Sequence, residues 1–90
     1  MKTKKEFMLR NVAGEYMVVP TGKASVHFNG VITLNESGKL LYEKLEKGCE
    51  KDALVSLLVE TYEIDTQTAK KDVNSFLETL RKKDVLDEHA

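Results

Sequence analysis

The stretch "GVITLNESG", Gly30 to Gly38, sets a strand directly against a helix with no linker between them. Val31-Ile32-Thr33-Leu34 is an uncharged run of β-branched and aliphatic residues, a composition that favours extended backbone. Asn35 follows at once. Its side chain can accept a hydrogen bond from a free N–H of a first helical turn, and Glu36 then puts a negative charge where the helix dipole favours one. Gly38 within that turn costs about 1 kcal/mol against Ala, which a close approach to another backbone would explain. A strand this short cannot stand alone. It has to join a small sheet with one face packed on helices.

The remaining elements fit that frame. Phe7 to Val12 and Glu15 to Val19 read as strands, with Ala13-Gly14 as the turn and Pro20 ending the second or marking an edge. Residues 24–28 are open between a short strand, favoured by the hairpin signal Asn29-Gly30, and an irregular excursion, which is preferred here. The first helix carries Gly38, Leu41 and Leu45 on one face and stops at Gly48. The second runs from about Lys51 to Tyr62, facing inward through Leu54, Leu57, Leu58 and Tyr62, with Val55 and Val59 flanking. Asp65 or Thr66 can cap the third. Its buried stripe is Ala69, Val73, Phe76 and Leu80, at spacings of four, three and four. Val85-Leu86 closes the fold with an apolar contact. The expected class is α+β and winged-helix-like: a three-stranded antiparallel sheet followed by three helices. The domain is expected over residues 7–86, between a flexible basic N-terminus (1–6) and a tail (87–90).

Ninety residues suffice for one core, burying about 60–65% of the unfolded surface. A hydrophobic share of 41% with 32% charged residues excludes a disordered chain. No apolar run is long enough to span a bilayer and no signal core follows the early lysines, so a cytosolic protein with no membrane partner is expected. Charge is uneven: Thr66 to Lys83 holds five cationic groups against Asp72 and Glu78, whereas Glu36 to Glu63 is net acidic. That asymmetry suits an acidic peptide better than nucleic acid, for which a strongly basic domain is usual.

Catalytic chemistry finds no constellation. His27 and His89 lack Cys, His or Asp at ligand spacing, so no metal is expected. Gly14, Gly22 and Gly30 open no helix and form no phosphate loop. Cys49 is alone, with no base near it in sequence, and reads as an idle thiol. Glu43, Glu46 and Glu50 alternate with lysines as on a solvated face. No enzyme and no cofactor is expected.

The run "LRNVAGEYMVVPTG", then "FNGVITLNESGKLLYEKLEKG", "ALVSLLVETYEID" and "AKKDVNSFLETLRKKDVL", resembles the PqqD family. The resemblance covers about Phe7 to Leu86. Its most specific parts are the "LN" before the first helix, Gly48, and Asp72, Val73, Phe76, Leu77 and Leu80 on the third helix. It implies a RiPP recognition element, a peptide-binding chaperone. Such domains bind the leader of a ribosomally made precursor peptide and deliver it to a modifying enzyme, often a radical SAM enzyme. The leader adds to the third strand, against the third helix. Pyrroloquinoline quinone itself is not implied, and Lys23 to Phe28 is longer than in the quinone proteins.

Mapped onto this chain, the implied peptide site comprises Val31, Ile32, Thr33 and Leu34 with Lys70, Val73, Asn74, Leu77 and Arg81. Ile32 and Leu34 face the core by alternation. Leu77 is a candidate floor for an apolar anchor, or plain core. Lys70 and Arg81 are candidates to pair with leader carboxylates. An exposed strand edge with no charge and no proline supports such a site, because an extended peptide can satisfy its free N–H and C=O groups. Two alternatives stand beside it. One is a winged-helix DNA-binding domain, disfavoured by an acidic pI and only two arginines. The other is a structural subunit pairing edge to edge with its own copy, where a monomer is preferred.

Overall fold

The computed structural model describes residues 1–22 and 31–89. The alternatives for residues 24–28, the Asn29-Gly30 turn and His27 lie outside the described residues. The strands are β1 (Lys2–Thr3), β2 (Phe7–Val12), β3 (Glu15–Pro20), β4 (Ile32–Leu34) and β5 (Leu86–Asp87); the helices are α1 (Glu36–Lys47), α2 (Lys51–Tyr62) and α3 (Thr66–Lys82). The order β2-β3-β4 makes the expected three-stranded antiparallel sheet, followed by three helices.

The β2–β3 hairpin turns on Ala13 and Gly14, both at positive φ, as a two-residue turn matched to strand twist requires. Asn11 Oδ1 accepts from the Gly14 N–H at 3.1 Å and fixes the corner. Register then sets Val18 opposite both Leu9 and Ile32. Phe7, Val18 and Ile32 are buried on the inner face, while Met8, Arg10, Val12 and Thr33 are exposed on the other.

Asn35 caps α1 as its chemistry suggests, its Oδ1 accepting from Gly38 N at 2.8 Å and from Ser37 Oγ at 3.0 Å. A Cβ on Gly38 would sit 3.2 Å from that Oδ1 and 3.3 Å from the Leu34 side chain. The crowding that Gly38 relieves thus comes from side chains of the strand–helix joint, not from a second backbone. Gly48, at positive φ, ends α1 and donates to Leu45 O. Asp65 caps α3 by accepting from the Thr68 N–H and hydroxyl, and that bonding holds its carboxyl below the usual range.

Two helix faces differ from expectation. On α2 the buried residues are Leu54, Val55 and Leu58; Leu57 is half-buried and Tyr62 is exposed. On α3 they are Ala69, Val73, Leu77 and Leu80, with Phe76 only half-buried. Leu77 is therefore core, and Phe76 takes the flanking place expected of Leu77. The two residues lie about 100° apart on the helix. Leu77 lies on the side that packs into the core with α2, whereas Phe76 faces the gap between α3 and β4 and stays half-buried.

A second, two-stranded pairing lies outside the main sheet. Lys2–Thr3 pairs antiparallel with Leu86–Asp87. The Met1 amine donates to Cys49 O at 3.0 Å, and Lys4 Nζ meets Asp84 at 2.7 Å. The expected flexible segment 1–6 is in part a strand, which a two-residue Lys-Thr pair cannot advertise by periodicity.

Tyr42, unmarked by the α1 stripe, is fully buried, and its hydroxyl has no hydrogen-bond partner among the described residues. Burial raises its pKa from 10.0 to about 12; the Thr3 side chain offsets part of that rise without reaching hydrogen-bond geometry, and Glu46 adds a smaller push. The folded chain thus keeps a proton that the unfolded chain loses earlier. This contribution is full below pH 10 and falls as the pH climbs from 10 to about 12. Tyr42→Phe should match or exceed the parent in urea unfolding at pH 7, by about 0.5–1 kcal/mol, because it removes an unpaired buried hydroxyl. It should also lose the one-proton decline above pH 10.

Candidate functional site

β4 has a neighbour on one side only among the described residues, because the sheet runs β2-β3-β4. Its inward residues obey the alternation: Ile32 is buried and Leu34 packs on the core, while Thr33 points out. Beyond the outer edge lies a groove of about 340 Å³, with Ile32, Thr33 and Leu34 on one wall and Phe76, Thr79 and Leu80 of α3 on the other. Asn35 and Gly38 close its end.

Two further concavities extend it. One, of about 260 Å³, shares Asn35, Gly38 and Phe76 with the groove and adds Leu41, Leu58, Asp72 and Ser75. The next, of about 370 Å³, shares Asn35, Ser37, Leu58 and Asp72 with it and reaches Glu36, Tyr62 and Ile64. Together they form one trough from the β4 edge, past the N-terminus of α1, to the last turn of α2. Among the described residues no charged one lines the β4 end, and the other end carries Glu36 and Asp72.

Of the nine residues assigned from sequence, the groove gathers Ile32, Thr33 and Leu34. Val31 is exposed just before β4, at 48%. Val73 and Leu77 are core. Lys70 and Asn74 line a separate concavity with Gln67, Thr68 and Lys71. Arg81 is held by Glu88 at 2.8 Å and Glu78 at 3.6 Å, and these contacts raise its pKa. Lys70, Asn74 and Arg81 lie about 120–160° around α3 from Phe76, and none of them lines this groove. The wall that sequence reasoning missed is Phe76 and Thr79, joined by Asn35 and Gly38. Two signals could have found it: a large aromatic spaced four and seven residues from Asp72 and Lys83, and a glycine in a first helical turn.

The lining of this trough offers hydroxyls, an amide, two surface carboxylates and apolar carbon. The Cys49 thiol lies at the α1–α2 junction, where burial pushes its pKa up against the pull of Lys44 and the N-terminal amine. No described helix is long and apolar enough to cross a membrane.

The family model described as coenzyme PQQ synthesis protein D (PqqD) matches residues 10–86. No curated protein matches the chain. Two solved structures share its fold. TbiB1 in complex with the TbiA(beta) leader peptide is 21% identical, with a TM-score of 0.78 over 100% of this chain and 99% of that one. Lasso peptide synthetase B1 complexed with the leader peptide is 16% identical, with a TM-score of 0.71 over 90% of this chain and 89% of that one. The family match runs from the second half of β2 to the first residue of β5, including both walls of the groove, and on that ground the chain belongs to the PqqD family.

Proposed function

We infer that this chain is a non-catalytic carrier for the leader of a ribosomally made precursor peptide. The leader adds as a strand to the outer edge of β4 and lays alternate side chains into the groove against Phe76, Thr79 and Leu80. The carrier then presents the bound precursor, in the cytosol, to a peptide-modifying enzyme, with a radical SAM enzyme as the preferred class. The observation that carries this reading is the uncharged, proline-free edge of β4 opening onto a groove with an aromatic wall. Main-chain bonding there supplies attraction, and the groove supplies side-chain selection. That two proteins of the same fold are known in complex with leader peptides supports it.

The test is a titration of the ¹⁵N-labelled protein with synthetic leaders from precursor genes neighbouring its own. Amide shifts are expected at Ile32 to Leu34 and at Phe76 to Leu80, with slowed hydrogen exchange along β4. Shifts confined to Gln67, Lys70, Lys71 and Asn74 would place the guest in the other concavity and end the strand-addition account.

A further inference from the structure

The charge along the trough is one-sided, and its sign is opposite to that expected from the lysines and arginine of α3. Among the described residues, the concavity beyond the head of α1 is lined by Glu36 and Asp72 and by no cationic residue. Neither carboxylate has an ion pair or hydrogen bond among the described residues, whereas Glu43, Glu78, Asp84 and Glu88 each meet a Lys or Arg. Lys70 and Lys71 line the other concavity. The head of α1 would ordinarily draw an anion. Here its Gly38 N–H is taken by Asn35 Oδ1, and Glu36 already stands against the dipole.

The floor beneath the two acids is apolar: Leu58, Ile64 and the ring of Tyr62, which is 41% exposed at the end of α2. An apolar floor with anionic rims suits a side chain that is hydrocarbon along its stem and cationic at its tip. An aromatic face beside the tip adds cation–π attraction. A carboxylate-bearing guest would be repelled at the same place.

Resting on the leader-capture reading, we propose that the trough selects a peptide carrying a lysine or arginine, whose side chain lies over Tyr62 between Glu36 and Asp72. A guest paired with β4 and running toward Leu34 leaves the strand at Asn35. The cationic residue therefore falls just past the paired segment, at a fixed offset from the apolar anchor facing Phe76.

The test is a selection of displayed random 16-residue peptides on the full chain, repeated on a protein carrying Glu36→Gln and Asp72→Asn. Both positions are exposed, so the variant keeps its fold, as its circular dichroism would verify. The expected result is a set of binders that shift the β4 amides. They carry an apolar anchor and a Lys or Arg at one constant spacing, and the basic preference disappears on the variant while the anchor remains. Replacing that Lys or Arg by Gln in a selected peptide should weaken binding to the parent about tenfold at low salt and leave binding to the variant unchanged within twofold. Binders with the apolar anchor but no basic preference, or with one that persists on the variant, overturn this inference and leave strand capture standing. A selection that yields no β4-shifting binder overturns both.

Discussion

Phe76→Ala should weaken leader binding about thirtyfold while the protein stays folded. An aromatic anchor at the centre of a small interface is worth about 2 kcal/mol or more on truncation, and 1.4 kcal/mol is a factor of ten. Phe76 forms the wall of the groove facing β4 and also lines the next concavity. Its ring is only half-buried in the free protein, so its loss should cost about 1–2 kcal/mol of stability, not the full penalty of a core phenylalanine. Titration calorimetry beside thermal unfolding separates the two effects. Lys70→Ala and Asn74→Ala are the matched controls and should change affinity by less than about twofold, as exposed side chains outside the contact do. If those two cost as much as Phe76→Ala, the guest lies on the opposite flank of α3.

Leu45→Ala should do the reverse, costing stability without touching recognition. Leu45 is completely buried on α1 and lines none of the trough. Removing a buried leucine costs about 3 kcal/mol through lost transfer energy and the void left behind. In a domain of this size each kcal/mol moves Tm by about 4–8 °C, so a fall of roughly 12–24 °C is expected. Total stability for such domains is about 5–15 kcal/mol, so the variant remains mostly folded in the cold. There its affinity for a leader should equal that of the parent. A parallel loss of affinity would mean that α1 packing sets the groove's shape and is not merely its support.

Local chemistry was legible wherever one residue decides one thing. Asn35 before α1, Gly48 after it and Asp65 before α3 act in the structure as their side chains suggest. β2 followed from partial alternation and β4 from an uncharged run of β-branched and aliphatic residues, and Val85-Leu86 is buried as expected. What periodicity could not settle was which of two adjacent apolar residues faces the interior. Phe76 and Leu77 differ by a fraction of a helical turn, and only the tertiary packing chooses between them. The same ambiguity bears on the site: the spacing groups Lys70, Asn74 and Arg81 with Leu77 as one flank of α3, and that flank lies away from the one Phe76 presents to β4. The β1–β5 pairing was hidden for another reason. A strand of two residues has no period, and Lys2–Thr3 resembles any basic tail until its partner is known.

β4 is only three residues long. So brief a border offers an incoming backbone two or three hydrogen bonds, each worth about 0.5–1.5 kcal/mol net, less than the freedom lost on association. Non-selective zippering by passing extended chains is therefore self-limiting, and a guest must earn its residence through its side chains. This explains how the protein tolerates a bare lip without the lysines and prolines that longer lips need against fibril growth. Its shortness acts as the gatekeeper. Lengthening β4 to strengthen capture would broaden the clientele and invite aggregation together.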